Sequence, residues 1–207
     1  GAVFTLLGLI LAFTFAGAAS RFDERRHLIV EEANAIGTAY LRLDLLAPAA
    51  RDELRSRFRH YLESRLAVYR ALPDIDAAEA GLARSSELQQ QIWARAVDAA
   101  AGSHPATTLL LPALNDMFDI TTTRTMAARS HPPGVIFVLL LVLCLLGAFI
   151  AGHAMGTARR SRLYALTFAG SLAVVVYVII DLEFPRLGFI RVDDFDRVLV
   201  DLLQSMR

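Results

Sequence analysis

The feature that most constrains this chain is the absence of Asp, Glu and Arg from three blocks, residues 1–20, 134–158 and 163–180. At about 1.5 Å of rise per helical residue, each block can cross the roughly 30 Å hydrocarbon layer of a bilayer. Within lipid every backbone N–H and C=O needs an internal partner, and a single apolar segment meets that need as an α-helix. The blocks therefore read as membrane spans. All 21 acidic residues fall within 21–133 or from Asp181 onward, so charge is sorted by solvent rather than spread over a globular surface.

The fold class that follows is all-α, a polytopic membrane protein with a helical extramembrane domain inserted between spans. The expected boundaries are a span over 1–20 continuing into a domain over 21–133, spans over 134–157 and 163–182, and a C-terminal segment over 183–207 with a short amphipathic helix. Hydrophobic residues make up 55% of the chain, in keeping with that class. The chain opens on Gly1 rather than Met, and we read 1–20 as a retained span with another span expected ahead of it.

Small residues recur at four-residue spacing in the apolar blocks: Gly8, Ala12, Ala16 and Ser20 in the first; Gly147 with Ala151 and Gly152 with Gly156 in the second; Ala165, Ala169 and Ala173 in the third. Such ridges let helix backbones approach closely in lipid, so the spans are expected to pack together, within one chain or between copies.

Beyond Ser20 the helical pattern continues. Ile29, Ala33, Ile36, Tyr40 and Leu43 share one stripe, with His27, Glu31, Thr38 and Arg42 opposite, which predicts one helix of about 45 residues running from apolar block into charged domain. Pro48 suits the first turn of the next helix, whose inward face is Leu54, Phe58, Tyr61, Leu62 and Leu66. Asp74 and Asp76 offer caps for a third helix to about Ala101, ended by Gly102 and Pro105. A fourth is expected from about Thr107 to Arg129 with Pro112 near its start. Pro185 and Gly188 break the last span, and Asp193 or Asp194 would cap a tail helix carrying Val198, Leu199 and Leu202, docked onto the domain or lying at the interface.

Composition narrows function mainly by exclusion. Net charge is zero and no basic patch interleaves with aromatics, so nucleic acid is not an expected partner. Every cation is Arg, which leaves no lysine chemistry and no charge that pH can remove in the ordinary range. Cys144, in the second block, reads as a small buried hydrophobe. No phosphate-binding glycine loop, HExxH, nucleophile elbow or metal-spaced Cys/His cluster occurs, so no catalytic, cofactor or metal residue is assigned and an enzyme is not expected.

Two polar groups stand out. Glu31 and Glu32 with Asn34 lie just past the charge cluster at the membrane exit, where in a ring of copies they would line or neighbour an axial path. The plainer readings are a solvated Glu31, with His27 four residues before it, and a Glu32 paired with Arg25 or with a neighbouring helix. Asp181 and Glu183, at the end of the third span, read either as ion ligands or as interfacial carboxylates satisfied by an Arg or a helix N-terminus. Phe4, Phe13 and Phe15 could narrow a path or simply face lipid and neighbours.

RRHLIVEEANAIGTAYLRLDLL, RSRFRHYLESRL, TTTRTMAARS and DLEFPRLGFIRV, in that order and spacing, resemble the bestrophin-like domain family of bacterial membrane proteins of unknown function. The resemblance implies four spans in the complete protein. It matches Glu32, Ala33 and Asn34 to the acidic motif after the second full-length span, and Asp181, Pro185 and Gly188 to the motif after the last. Here Leu182, Glu183 and Phe184 replace the basic or polar step usual before that proline. Bestrophins themselves are pentameric anion channels, so the resemblance implies an oligomeric ion channel or pore, anion-conducting if the likeness extends that far. The alternative is a non-catalytic accessory or structural subunit, anchored by its spans, whose domain binds a partner complex. Expected partners are membrane lipid and either further copies, a pentamer on the bestrophin precedent, or a partner membrane complex.

The short loop Ala158–Arg162 carries Arg159, Arg160 and Arg162, whereas the other side carries Arg21, Arg25, Arg26, Arg124, Arg129, Arg186, Arg191 and Arg197 close to its span ends. Positive charge gathers on the cytoplasmic side, so the domain is expected there, in a bacterial inner membrane. Membrane-impermeant labelling of single cysteines placed across residues 50–130 should fail on intact cells and succeed after permeabilisation. Labelling on intact cells would reverse the orientation.

Overall fold

The computed structural model describes residues 1–71, 74–154 and 161–206, and among these it is 89% helical with no strand. Seven α-helices follow in order: α1 (Ala2–Arg42), α2 (Pro48–Ala71), α3 (Ile75–Ala100), α4 (His104–Arg129), α5 (Gly134–Ala154), α6 (Ser161–Glu183) and α7 (Arg197–Ser205), with 3-10 turns at Leu43–Leu45 and Asp193–Asp196. Three of the helices include stretches long and apolar enough to cross a membrane: α1, the α4–α5 run and α6. The chain divides into two compact units, one of Gly1–Asp23 with Arg129–Ile190, the other of Glu24–Ala128 with Arg191–Arg207. Arg159, Arg160 and Gly156, used in the sequence reading, lie outside the described residues.

The membrane unit holds its helices by two small apolar clusters. Leu7, Leu140 and Leu143 form one, with Ile10, Leu11, Cys144, Leu172 and Val176 against it, so Cys144 is a packing residue with a free thiol. Ala18, Ile179 and Leu182 form the other. Gly147 lies against Leu7 and Phe4, where a Cβ would make ordinary van der Waals contact at 3.4 and 3.6 Å, and the Phe4 and Phe168 rings meet edge to face at 5.9 Å. The other small-residue ridges point elsewhere. Gly8, Ala12, Ala16 and Ser20, and likewise Ala165, Ala169 and Ala173, are all exposed. The most apolar windows of the three candidate spans are 17%, 17% and 6% buried among the described residues.

In the helical unit the expected stripe is the core. Ile29, Ala33, Ile36 and Leu43 of the first helical stretch and Leu54, Phe58, Tyr61, Leu62 and Leu66 of α2 are all buried, and the Tyr40 and Phe58 rings meet at 6.0 Å. Ile92, Ala96 and Ala100 of α3 and Leu110, Leu114 and Met117 of α4 complete it. Where Tyr61 must bury its hydroxyl, Thr121 Oγ1 lies 3.0 Å away and Gln89 Nε2 donates to it at 3.1 Å, so the polar atom is satisfied.

Helix ends follow local chemistry, with two corrections to the sequence reading. Asp74 caps α3 by accepting from Ala77 N–H at 3.0 Å, and Gly102 takes the left-handed φ of +83° that ends the connection. Pro105 does not separate α3 from α4. It sits in the first turn of α4, where the N–H it lacks would have had no helical partner, and Ser103 Oγ accepts from Ala106 N–H at 3.4 Å. The tail helix continues directly out of the 3-10 turn at Asp193–Asp196, so the residue at its N-cap is Asp196, which makes no side-chain cap bond, rather than Asp193 or Asp194. Leu199 is fully buried, and Tyr40 donates to Met206 O at 3.3 Å, so α7 is docked on the helical unit.

Candidate functional site

Two polar arrangements, one in each unit, stand apart from the apolar packing.

In the helical unit, Glu32 is on the inner face of α1, one residue before Ala33, and is completely buried. Arg65 lies on the buried stripe of α2 beside Leu62 and Leu66, and its Nε donates to Glu32 Oε1 at 2.6 Å. Arg124 continues the α4 series Leu110, Leu114, Met117 and Thr121, and its Nη1 donates to Glu32 Oε2. Tyr69 accepts from Arg65 Nη2 and donates to Glu32 Oε2 at 2.9 Å, while its ring lies 3.6 Å beneath the Arg124 guanidinium. The other end of Arg124 reaches Asp196 Oδ1 at 3.1 Å, tying the turn before α7 into the same group. Two cations thus face two carboxylates in a buried set drawn from α1, α2, α4 and the tail.

The charges adjust to that setting. Burial alone would raise the Glu32 pKa, but the Arg65 and Arg124 charges and their hydrogen bonds outweigh it and hold the carboxyl below its ordinary 4.5. Burial, then the Glu32 charge, pushes the Tyr69 phenol well up, so it stays protonated and can donate. Burial opposes the Arg65 charge, yet Tyr69 and Glu32 more than compensate, so Arg65 remains a cation.

The structure therefore separates the residues grouped by sequence. Glu32 turns inward, whereas Glu31 is exposed with His27 Nε2 at 3.0 Å, and Asn34 is also exposed. Glu32 is paired from neighbouring helices, and Arg25 Nε donates to Ala127 O at 3.2 Å. Sequence reasoning left Arg65, Arg124 and Tyr69 unassigned. The available signal was their position, since each falls on an apolar stripe where an arginine requires a buried partner.

In the membrane unit, α6 ends in two buried carboxylates, Asp181 and Glu183. Arg21 binds Glu183 through Nε, at 2.9 Å to Oε1, and through Nη2. His131 Nδ1 lies 3.5 Å from Glu183 Oε2 and its ring stacks on Phe184 at 4.8 Å. Asp181 instead takes backbone donors: Phe189 N–H reaches Oδ1 at 3.0 Å and Ile190 N–H reaches Oδ2 at 2.8 Å. The chain can return this close only because position 188 has no side chain, since a Cβ on Gly188 would overlap the Asp181 carboxylate. Pro185, which cannot prolong α6, is buried at the start of the turn. Asp181, Pro185 and Gly188 thus build one turn. Phe13 and Phe15 are exposed, and Phe4 packs on Phe168.

These features define an all-α membrane protein in which uncharged helices belong to one unit and an ion-paired helical bundle forms the other. The bestrophin-like domain matches residues 1–194, and the chain belongs to that family. No curated protein and no solved structure matches it at a significant level.

Glu32 supplies a measurable acid dependence. Because its folded pKa lies below 4.5, the unfolded chain binds more protons in that range, and the stability Glu32 contributes is complete above 4.5 and lost as pH falls through the folded value. Denaturant unfolding of the detergent-solubilised chain across acid pH should show this loss. Glu32→Gln should abolish the Glu32 share of the slope and cost about 3–5 kcal/mol at neutral pH, because two buried guanidiniums lose their shared counter-charge. An unchanged midpoint in the variant would contradict the assignment.

Proposed function

We propose that the chain is a subunit of a homo-oligomeric, bestrophin-like ion-conducting pore of a bacterial inner membrane, carrying anions and working without catalysis. Family membership supports a channel-like role. The observation that carries the oligomer is the outward direction of two small-residue ridges, Gly8–Ala12–Ala16–Ser20 on α1 and Ala165–Ala169–Ala173 on α6. Among the described residues, nothing outside Gly8's own chain neighbours and the adjacent backbone of its helix lies within 4 Å of a Cβ built there. Small residues exposed in register allow another helix to approach closely in lipid, and further copies of the same chain would cover both ridges.

A second reading, a non-catalytic accessory subunit anchored beside a partner complex, is favoured by a different observation. The Glu32 charge is consumed inside the bundle by Arg65 and Arg124, so the acid of the family motif does not present itself to a water path. Under this reading the same ridges meet a different membrane protein.

Native mass spectrometry of the full-length protein, extracted gently from its own membrane, separates the two. The pore reading expects a closed homo-oligomer that yields ion currents in planar bilayers. Gly8→Leu with Ala12→Leu should lower its subunit number while leaving the melting of the helical unit unchanged. A monomer, a dimer or stoichiometric attachment to another complex would rule out the pore and leave the accessory reading.

A further inference from the structure

The turn that follows α6 presents an apolar surface which neither the pore nor the accessory reading uses. The apolar window of the helix closes at Ile180, after which Asp181 and Glu183 are buried. Leu187 N–H donates to Phe184 O at 2.9 Å as the chain reverses, and the Phe189 and Ile190 N–H groups then bind Asp181. The backbone at 189–190 has therefore come back to the level of Asp181. From there the two side chains diverge. Ile190 packs on the Ala18, Ile179 and Leu182 cluster, whereas Phe189 is 88% exposed.

The Phe189 ring lies 6.3 Å from that of Tyr177, edge on at 61°. Tyr177 is one turn earlier in α6 than Asp181, about 6 Å closer to the middle of the span. The exposed ring thus points back along the apolar window rather than away from it. Val174, Tyr177, Ile180, Phe184, Leu187 and Phe189 are all exposed large apolar residues, so the turn extends the outward face of α6.

We propose that the 184–190 turn is a membrane-interface anchor in which Phe189 and Leu187 enter the upper acyl layer of the bilayer alongside α6, held in that pose by Asp181. The occupant is bilayer lipid, because the surface is continuous with the face of a membrane-spanning helix. Asp181 acts as a positioning residue: its two accepted N–H bonds fix the turn, and the absence of a Cβ at Gly188 lets the turn close onto it. The inference requires that α6 crosses the membrane and that the end of its outward face beyond Ala173 is left to lipid, whereas both functional readings give the Ala165–Ala169–Ala173 part of that face to another helix.

The test uses full-length Phe189→Trp in vesicles of phosphatidylcholine and phosphatidylglycerol, read as the difference from the parent chain, whose single tryptophan is Trp93. Lipids brominated high on the acyl chain should quench the added emission more strongly than lipids brominated near the chain end, and aqueous iodide should not quench it. Leu187→Trp should behave the same way and guards against a defect specific to position 189. Adding Asp181→Ala should reduce bromine quenching while the melting of the helical unit stays unchanged. Iodide quenching without bromine quenching would place the turn in water and overturn the proposal. Blue-shifted emission that neither reagent quenches would overturn it in favour of contact with another protein.

Discussion

The helical unit depends on one carboxylate that two arginines share. Glu32 could not remain ionised in a fully buried site without Arg65 and Arg124, and it gives both arginines a counter-charge, to which Asp196 adds a second for Arg124. Replacing such a group by well-packed apolar side chains is often neutral or stabilising, so its main effect is on specificity. A one-residue slip of α1 would turn Glu32 by about 100° and strand the guanidiniums among Leu62, Leu66 and Met117. The apolar stripes supply the drive to associate; the ion group selects the register. Asp196 brings the tail under the same constraint through Arg124.

The membrane unit solves a comparable problem without a shared cation. Asp181 and Glu183 are both buried at the end of α6, and each is satisfied differently. Arg21 provides the counter-charge for Glu183, while Asp181 is met by the N–H groups of its own returning chain. That return converts a helix end into a closed turn in which Leu187 N–H binds Phe184 O and both Asp181 oxygens accept backbone donors. Both carboxylates have partners within the chain, and Asp181, Pro185 and Gly188 share one turn.

Much of the fold was legible because solvent sorts side chains so strongly. Three uncharged blocks identified the spans, and helical spacing identified the buried faces of α1 and α2 residue by residue. The misreadings have local causes. Pro105 carries the same signal whether it ends one helix or opens the next, and only the Ser103 cap decides between them. By sequence, Glu31, Glu32 and Asn34 read either as lining a path or as a solvated Glu31 beside a Glu32 paired with a neighbouring helix. In the structure Glu32 pairs with Arg65 and Arg124 while Glu31 is exposed beside His27, because an α-helix sends sequence neighbours to different faces. What the pattern did not supply was partner identity: an arginine on an apolar stripe announces a buried carboxylate, yet its choice among twenty-one acids is settled by tertiary packing. The outward direction of the small-residue ridges was equally hidden, since four-residue spacing describes a ridge without saying which side of the helix the chain itself covers.

The central claim is that Glu32 and Arg65 act as one unit in specifying the helical bundle. A double-mutant cycle on the full-length chain tests it most directly, with Glu32→Gln, Arg65→Met and both together compared by denaturant unfolding at neutral pH. The account predicts strong coupling, with the double variant far closer to the parent than the sum of the single losses. Additive losses would contradict it, because the two side chains would then be contributing independently.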